Sequence, residues 1–97
     1  MNIRIGHTIW KVIDSPHEHQ ENRRGSTYKE LREIHINDSI PKGLKDITLI
    51  HEILHACADI VGTGDEELTE EEWVKRIAPT LAGVIKENPE LIKTLST

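Results

Sequence analysis

The sequence predicts a small α+β domain, with short strands filling the first forty residues and two helices following them. Three observations carry that reading. The stretch REIHIND, residues 32–38, alternates apolar and polar side chains, as a half-buried strand does. From 44 to 61, apolar residues fall at 44, 47, 50, 54, 57, 58 and 61, a helical period. Thr69-x-x-Glu72 then has the form of a capping box at the start of a second apolar-periodic run. A chain of 97 residues has room for a single domain, residues 1–97, with one modest core.

Taken in order, Ile3 and Ile5 alternate with polar neighbours, and Ile9, Trp10, Val12 and Ile13 form a second apolar set. Both fit short strands joined as a hairpin near Gly6-His7. The polar run DSPHEHQENRRGS, with Pro16 and Gly25, reads as an exposed loop. In the strand after Tyr28, Ile34 and Ile36 face one way and Glu33 and His35 the other, completing a small antiparallel or mixed sheet. Asp38, Ser39, Pro41 and Gly43 lead into the first helix, and Gly62 and Gly64 are its stop signals. The second helix carries Val74, Ile77, Ala78, Leu81 and Ile85 on one face and ends before Asn88-Pro89. Pro79 lies inside it, removes a hydrogen bond and crowds the carbonyl of Lys75, which predicts a kink or a break.

Composition narrows the function. Hydrophobic residues make up 36% and aromatics 3%, with no Phe, so the core is built from Ile, Leu, Val and Ala. A formal net charge of −5 opposes the phosphate attraction behind most nucleic-acid binding, and the pair Arg23-Arg24 is too short to reverse it. No stretch approaches the ~20 apolar residues that span a bilayer, and MNIRIGHTIW lacks the apolar core of a secretory signal. Neither a nucleic acid nor a membrane is expected as a partner. The single cysteine, Cys57, forms no internal disulfide and sits on the apolar side of its helix, so a buried, inert thiol in a reducing, cytoplasmic setting is expected.

Chemistry concentrates in LIHEILHAC, residues 49–57. On a helix, His51 and His55 lie one turn apart, about 40° from each other, so their rings can reach one point. Glu52 lies beside that point. Two neutral imidazoles and a neighbouring carboxylate suit Zn²⁺ and a general base acting on its water, and imidazole protonation near pH 6 would weaken such binding. The same donors accept other divalent ions. A third ligand is needed. HExxHxxGxxH is excluded because Ala58 and Val61 stand where Gly and His are required. The run DEELTEEEW offers carboxylates instead. Counted back from Val74, Ala78 and Leu81, Glu71 falls on the inward face and Glu70 is second; Glu72 has the capping role, and Asp59, one turn past His55, competes. A solvated acidic first turn is the plain alternative for the run. In PHEHQ, His17 and His19 read as solvated loop histidines.

With these residues in view, TLIHEILHA followed by EEEWVKRIAPTLAGVIKENPEL resembles the small phage- and prophage-encoded zincin-like metallopeptidases of the gluzincin type, distant relatives of the ImmA/IrrE-type proteases. The resemblance spans roughly residues 25–92. It implies a minimal zincin-like fold, zinc on His51, His55 and Glu71, Glu52 as general base, and a protein or peptide substrate laid along an edge strand matching residues 32–37. The chain is short for this family and Pro79 interrupts the Glu-bearing helix. For the oxyanion, Tyr28 and His35 are conceivable, although a buried phenol and a solvent-facing strand histidine are the stronger readings. Besides a zinc peptidase, two other classes fit. One is a structural zinc module or degenerate zincin that binds a partner without hydrolysis; the other is a metal-free interaction protein with a histidine stripe.

Overall fold

The computed structural model describes residues 1–16, 22–62 and 67–97. Two antiparallel strands, β1 (Asn2–Ile5) and β2 (Thr8–Ser15), pair with Ile5 opposite Thr8, which leaves Gly6-His7 as a two-residue turn. Gly6 has φ +62°, a positive value at the first central position, where a II′ hairpin turn calls for glycine. Beyond the turn, β3 (Gly25–Tyr28) and β4 (Glu33–Asn37) form a second antiparallel pair. The pairs join through β2 and β4, which run parallel, so the four-stranded sheet is mixed with order β1-β2-β4-β3. Two parts of the expected 14–26 loop are therefore strand: β2 runs on to Ser15 and β3 begins at Gly25.

Register puts Ile3, Ile5, Trp10, Ile34 and Ile36 on one face, all buried, with Gly25 and Thr27 of β3 in the same rows. Lys11, Ile13, Ser15, Ser26, Tyr28, Glu33 and His35 occupy the opposite face. The apolar face is covered by helices α1 (Lys42–Val61), α2 (Glu70–Glu87) and α3 (Pro89–Leu95). Among the described residues the fold is thus α+β, with a four-stranded mixed sheet and three helices. None of those helices is long and apolar enough to cross a membrane.

The first helix ends where expected: Gly62 adopts φ +73° and donates its N–H to the carbonyls of Ala58 and Asp59. Gly64 lies outside the described residues. Leu49, Ile53, Ala56 and Cys57 of α1 enter the core, and burial raises the Cys57 thiol pKa from its ordinary value. The second helix begins at the predicted cap, where Thr69 Oγ1 accepts the Glu72 N–H at 3.2 Å. It then continues unbroken through Pro79. Lys75 and Pro79 are both exposed, so the carbonyl that loses its partner faces solvent.

Both long helices pack in a different phase from the one their apolar residues suggested: in α1, Ile47 is 62% and Ile50 45% exposed while Leu49 and Ile53 are buried, and α2 departs likewise. Ile77 and Val84 are buried with Leu81 beside them, while Val74 is 50% and Ile85 52% exposed. The third helix, which the sequence reading missed, starts with Pro89 at its first turn and buries Leu91. Between the two helices, Asn88 is 7% exposed and ties their junction to β1. Its amide donates to the carbonyls of Arg4 and Val84, each at 2.8 Å, and its Oδ1 accepts the Arg4 N–H at 2.8 Å. Replacing Asn88 with Ala should leave these groups without partners and cost about 1–3 kcal/mol, read as a lower urea midpoint at unchanged slope.

Candidate metal centre

Both motif histidines lie on the exposed side of α1, and their Nε2 atoms approach to 3.1 Å with the rings edge to face. Two nitrogens that far apart can each stand 2.0–2.1 Å from a common ion at an angle of about 95–102°, near the tetrahedral value. The spacing therefore fits zinc. Glu52 is arranged quite differently: its side chain is 9% exposed, against 65% for His51. One oxygen, Oε1, accepts a hydrogen bond from Thr27 Oγ1 at 2.8 Å, and the other, Oε2, lies 3.9 Å from His51 Nε2. Thr27 thus holds the carboxylate from the neighbouring strand, with its second oxygen on the His51 side.

The chain reaches this arrangement by bringing β3 hard against α1. At Gly25, a Cβ would stand 2.6 Å from Thr48 Cγ2, 2.9 Å from the His35 carbonyl and 3.4 Å from Glu52 Cγ. Any side chain there would push the strand off the helix. Sequence reasoning missed Gly25 and Thr27 as site residues, because their role depends on a contact between segments far apart in the chain. The strand expected to form the substrate edge, residues 32–37, is interior, and β3 is the edge beside the motif. Its short, polar sequence gave no alternation to read.

The remaining candidates are scattered. Glu71 is exposed in the first turn of α2, as are Glu70 and Glu72. Counting back from the buried Ile77, Glu70 lies only about 20° from the inward direction and Glu71 about 120°. Asp59 sits 4.0 Å from Lys29 Nζ in a solvent-exposed pair of little energetic weight. Among the described residues, no three His, Cys, Asp or Glu side chains gather closely enough to hold a metal ion. His17, His19, Asp65 and Glu66 fall outside those residues. Tyr28 and His35 lie on the sheet face opposite Thr27, so neither is aimed at the Glu52 side. Tyr28 is 38% exposed rather than buried, and its ring packs edge-on against His35. His35 in turn is half-buried: its Nδ1 is hydrogen-bonded to Ser15 Oγ at 2.8 Å, and Nε2 donates to Glu33 at 3.0 Å.

No family model, curated protein or solved structure matches the chain. The geometry therefore has to speak for itself. Gly25→Ala should destabilise the protein by about 1–3 kcal/mol, because backbone as well as side chain blocks the added methyl. Combining it with Thr48→Ser, which removes the closest atom, should recover only part of the loss in a double-mutant cycle of chemical denaturation.

Proposed function

We propose that the protein is a zinc-dependent peptidase of the HExxH type on a minimal zincin-like fold, hydrolysing peptide bonds of a specific protein or peptide substrate. The observation that supports this most directly is the convergence of two imidazole nitrogens beside a buried carboxylate aimed by Thr27. In this reading His51 and His55 hold the metal, and the third ligand would be drawn from the acidic first turn of α2, whose carboxylates do not gather with the histidines among the described residues. Glu71 is the ligand the resemblance implies, and Glu70 the one the observed packing phase favours. Bound zinc supplies Lewis-acid polarisation of a carbonyl and brings the ionisation of water near neutrality.

The rest of the chemistry belongs to the chain. Glu52 takes up a proton at Oε2 and returns it to the leaving amine, while Oε1 stays on the Thr27 hydroxyl. Burial costs a carboxylate solvation, so a fold keeps one at such a place only where its charge is used or well paired. A zinc staple that merely tied helices together would need the histidines but not Glu52. That difference favours hydrolysis over the structural module.

Metal analysis by mass spectrometry tests the ligand set: one zinc per chain in the wild type, lost in His51→Ala and His55→Ala. A third ligand is identified by which of Glu71→Gln, Glu70→Gln and Asp59→Asn weakens binding. Glu52→Gln should keep the metal and lose hydrolysis by about 10²–10⁴-fold. Full activity in that variant, or no uptake after zinc is added, would end the proposal. Thr27→Val should also keep zinc stoichiometry, and it should lower kcat more than it changes KM, because the carboxylate loses the donor that orients it.

A further inference from the structure

Beside the motif, Arg23, Arg24, Gly25, Ile47, Thr48, His51 and Glu52 line an open groove of about 360 Å³. Two arginines therefore border the candidate centre in a chain whose formal net charge is −5. The fold holds their backbone, while both side chains are exposed. Asn37, 3% exposed at the end of β4, donates its backbone N–H to the Arg24 carbonyl at 2.8 Å and its amide to the Arg23 carbonyl at 3.0 Å. The Asn37 amide is itself oriented through Oδ1, which accepts from the Ser39 N–H at 2.9 Å and the Ser39 hydroxyl at 2.6 Å. One residue later, Gly25 brings the chain into contact with Thr48 and Glu52. Among the described residues, neither guanidinium lies within ion-pair distance of a carboxylate.

We infer that this groove selects peptides carrying a carboxylate, which Arg23 and Arg24 bind beside the His51–Glu52 centre. The guanidinium fork presents paired donors that match a carboxylate, and an anchored backbone lowers the ordering needed to make them meet. An acidic side chain and a free C-terminus offer the same chemistry. The inference rests on reading the groove as a peptide site, so its test uses binding and is separable from catalysis.

The probes are three pools of decapeptides with randomised uncharged residues, each labelled with an uncharged BODIPY dye. The first carries one Glu and an amidated C-terminus, the second Gln in its place, and the third Gln with a free C-terminal carboxylate. Zinc-loaded Glu52→Gln protein, which holds peptide without cutting it, is titrated with each in low salt and followed by anisotropy. The Glu pool should bind about five- to tenfold more tightly than the amidated Gln pool. That preference should vanish in the same protein carrying Arg23→Gln and Arg24→Gln, and persist when Lys11→Gln and Lys86→Gln remove the same charge elsewhere. A gain by the third pool alone identifies a C-terminal carboxylate as the group selected. Equal binding of all pools, no binding of any, or a preference that survives loss of both arginines overturns the inference. Failure of the peptidase reading has a different signature: the wild type yields no cleavage product while the preference in binding stands.

Discussion

The contact between β3 and α1 at Gly25 is the constraint on which the candidate site depends. The strand is only four residues long, and one flank hydrogen-bonds to β4. Its helix-facing residues are a glycine that leaves room for Thr48 and a threonine that bonds to Glu52. Widening that gap would remove the Glu52 donor, open the buried carboxylate to water and carry Arg24 away from the groove. One small residue thus fixes the distance between the catalytic candidate and the surface that would receive a substrate. Its cost is local: β3 has little apolar surface of its own, and its position follows from pairing with β4 and packing on the helix.

The first helix serves two environments at once. Leu49, Ile53, Ala56 and Cys57 bury one side of it against the sheet, while His51 and His55 stay exposed. Glu52 falls at the border between them, its side chain 9% exposed and hydrogen-bonded to Thr27 of β3. This border position lets one carboxylate oxygen be held by Thr27 while the other stands 3.9 Å from His51 Nε2. A glutamate in the middle of either stripe would be fully solvated or left without a partner for its charge.

Elements defined by local pattern were legible in the sequence, and those defined by long-range contact were not. The Gly6-His7 hairpin, the 32–38 strand, the stop at Gly62 and the cap at Thr69 each depend on a few neighbouring residues. The phase of α2 was misjudged because Val74, Ile77, Ala78, Leu81 and Ile85 spread over more than one face. Docking against β1 and α1, together with the Asn88 ties, selects Ile77 and Val84. The edge strand was misassigned for a similar reason. GSTY is not patterned as a strand, and only its pairing with β4 reveals that β4 is interior. At the site, the histidine pair and its glutamate were legible from spacing alone, whereas Thr27 and Gly25 became site residues only through tertiary contact.

Net charge and local charge have separate consequences here. At −5, the chain's net charge opposes the approach of polyanions at long range. At physiological ionic strength that repulsion decays over about 8 Å, and inside that range a ligand experiences mainly the groups it touches. Under the proposed carboxylate selection, a carboxylate within the groove would meet Arg23 and Arg24 at short range, with Glu52 on the same lining. An acidic protein can select an acidic peptide on these terms, because long-range repulsion acts on the encounter while the arginine pair acts on what stays bound.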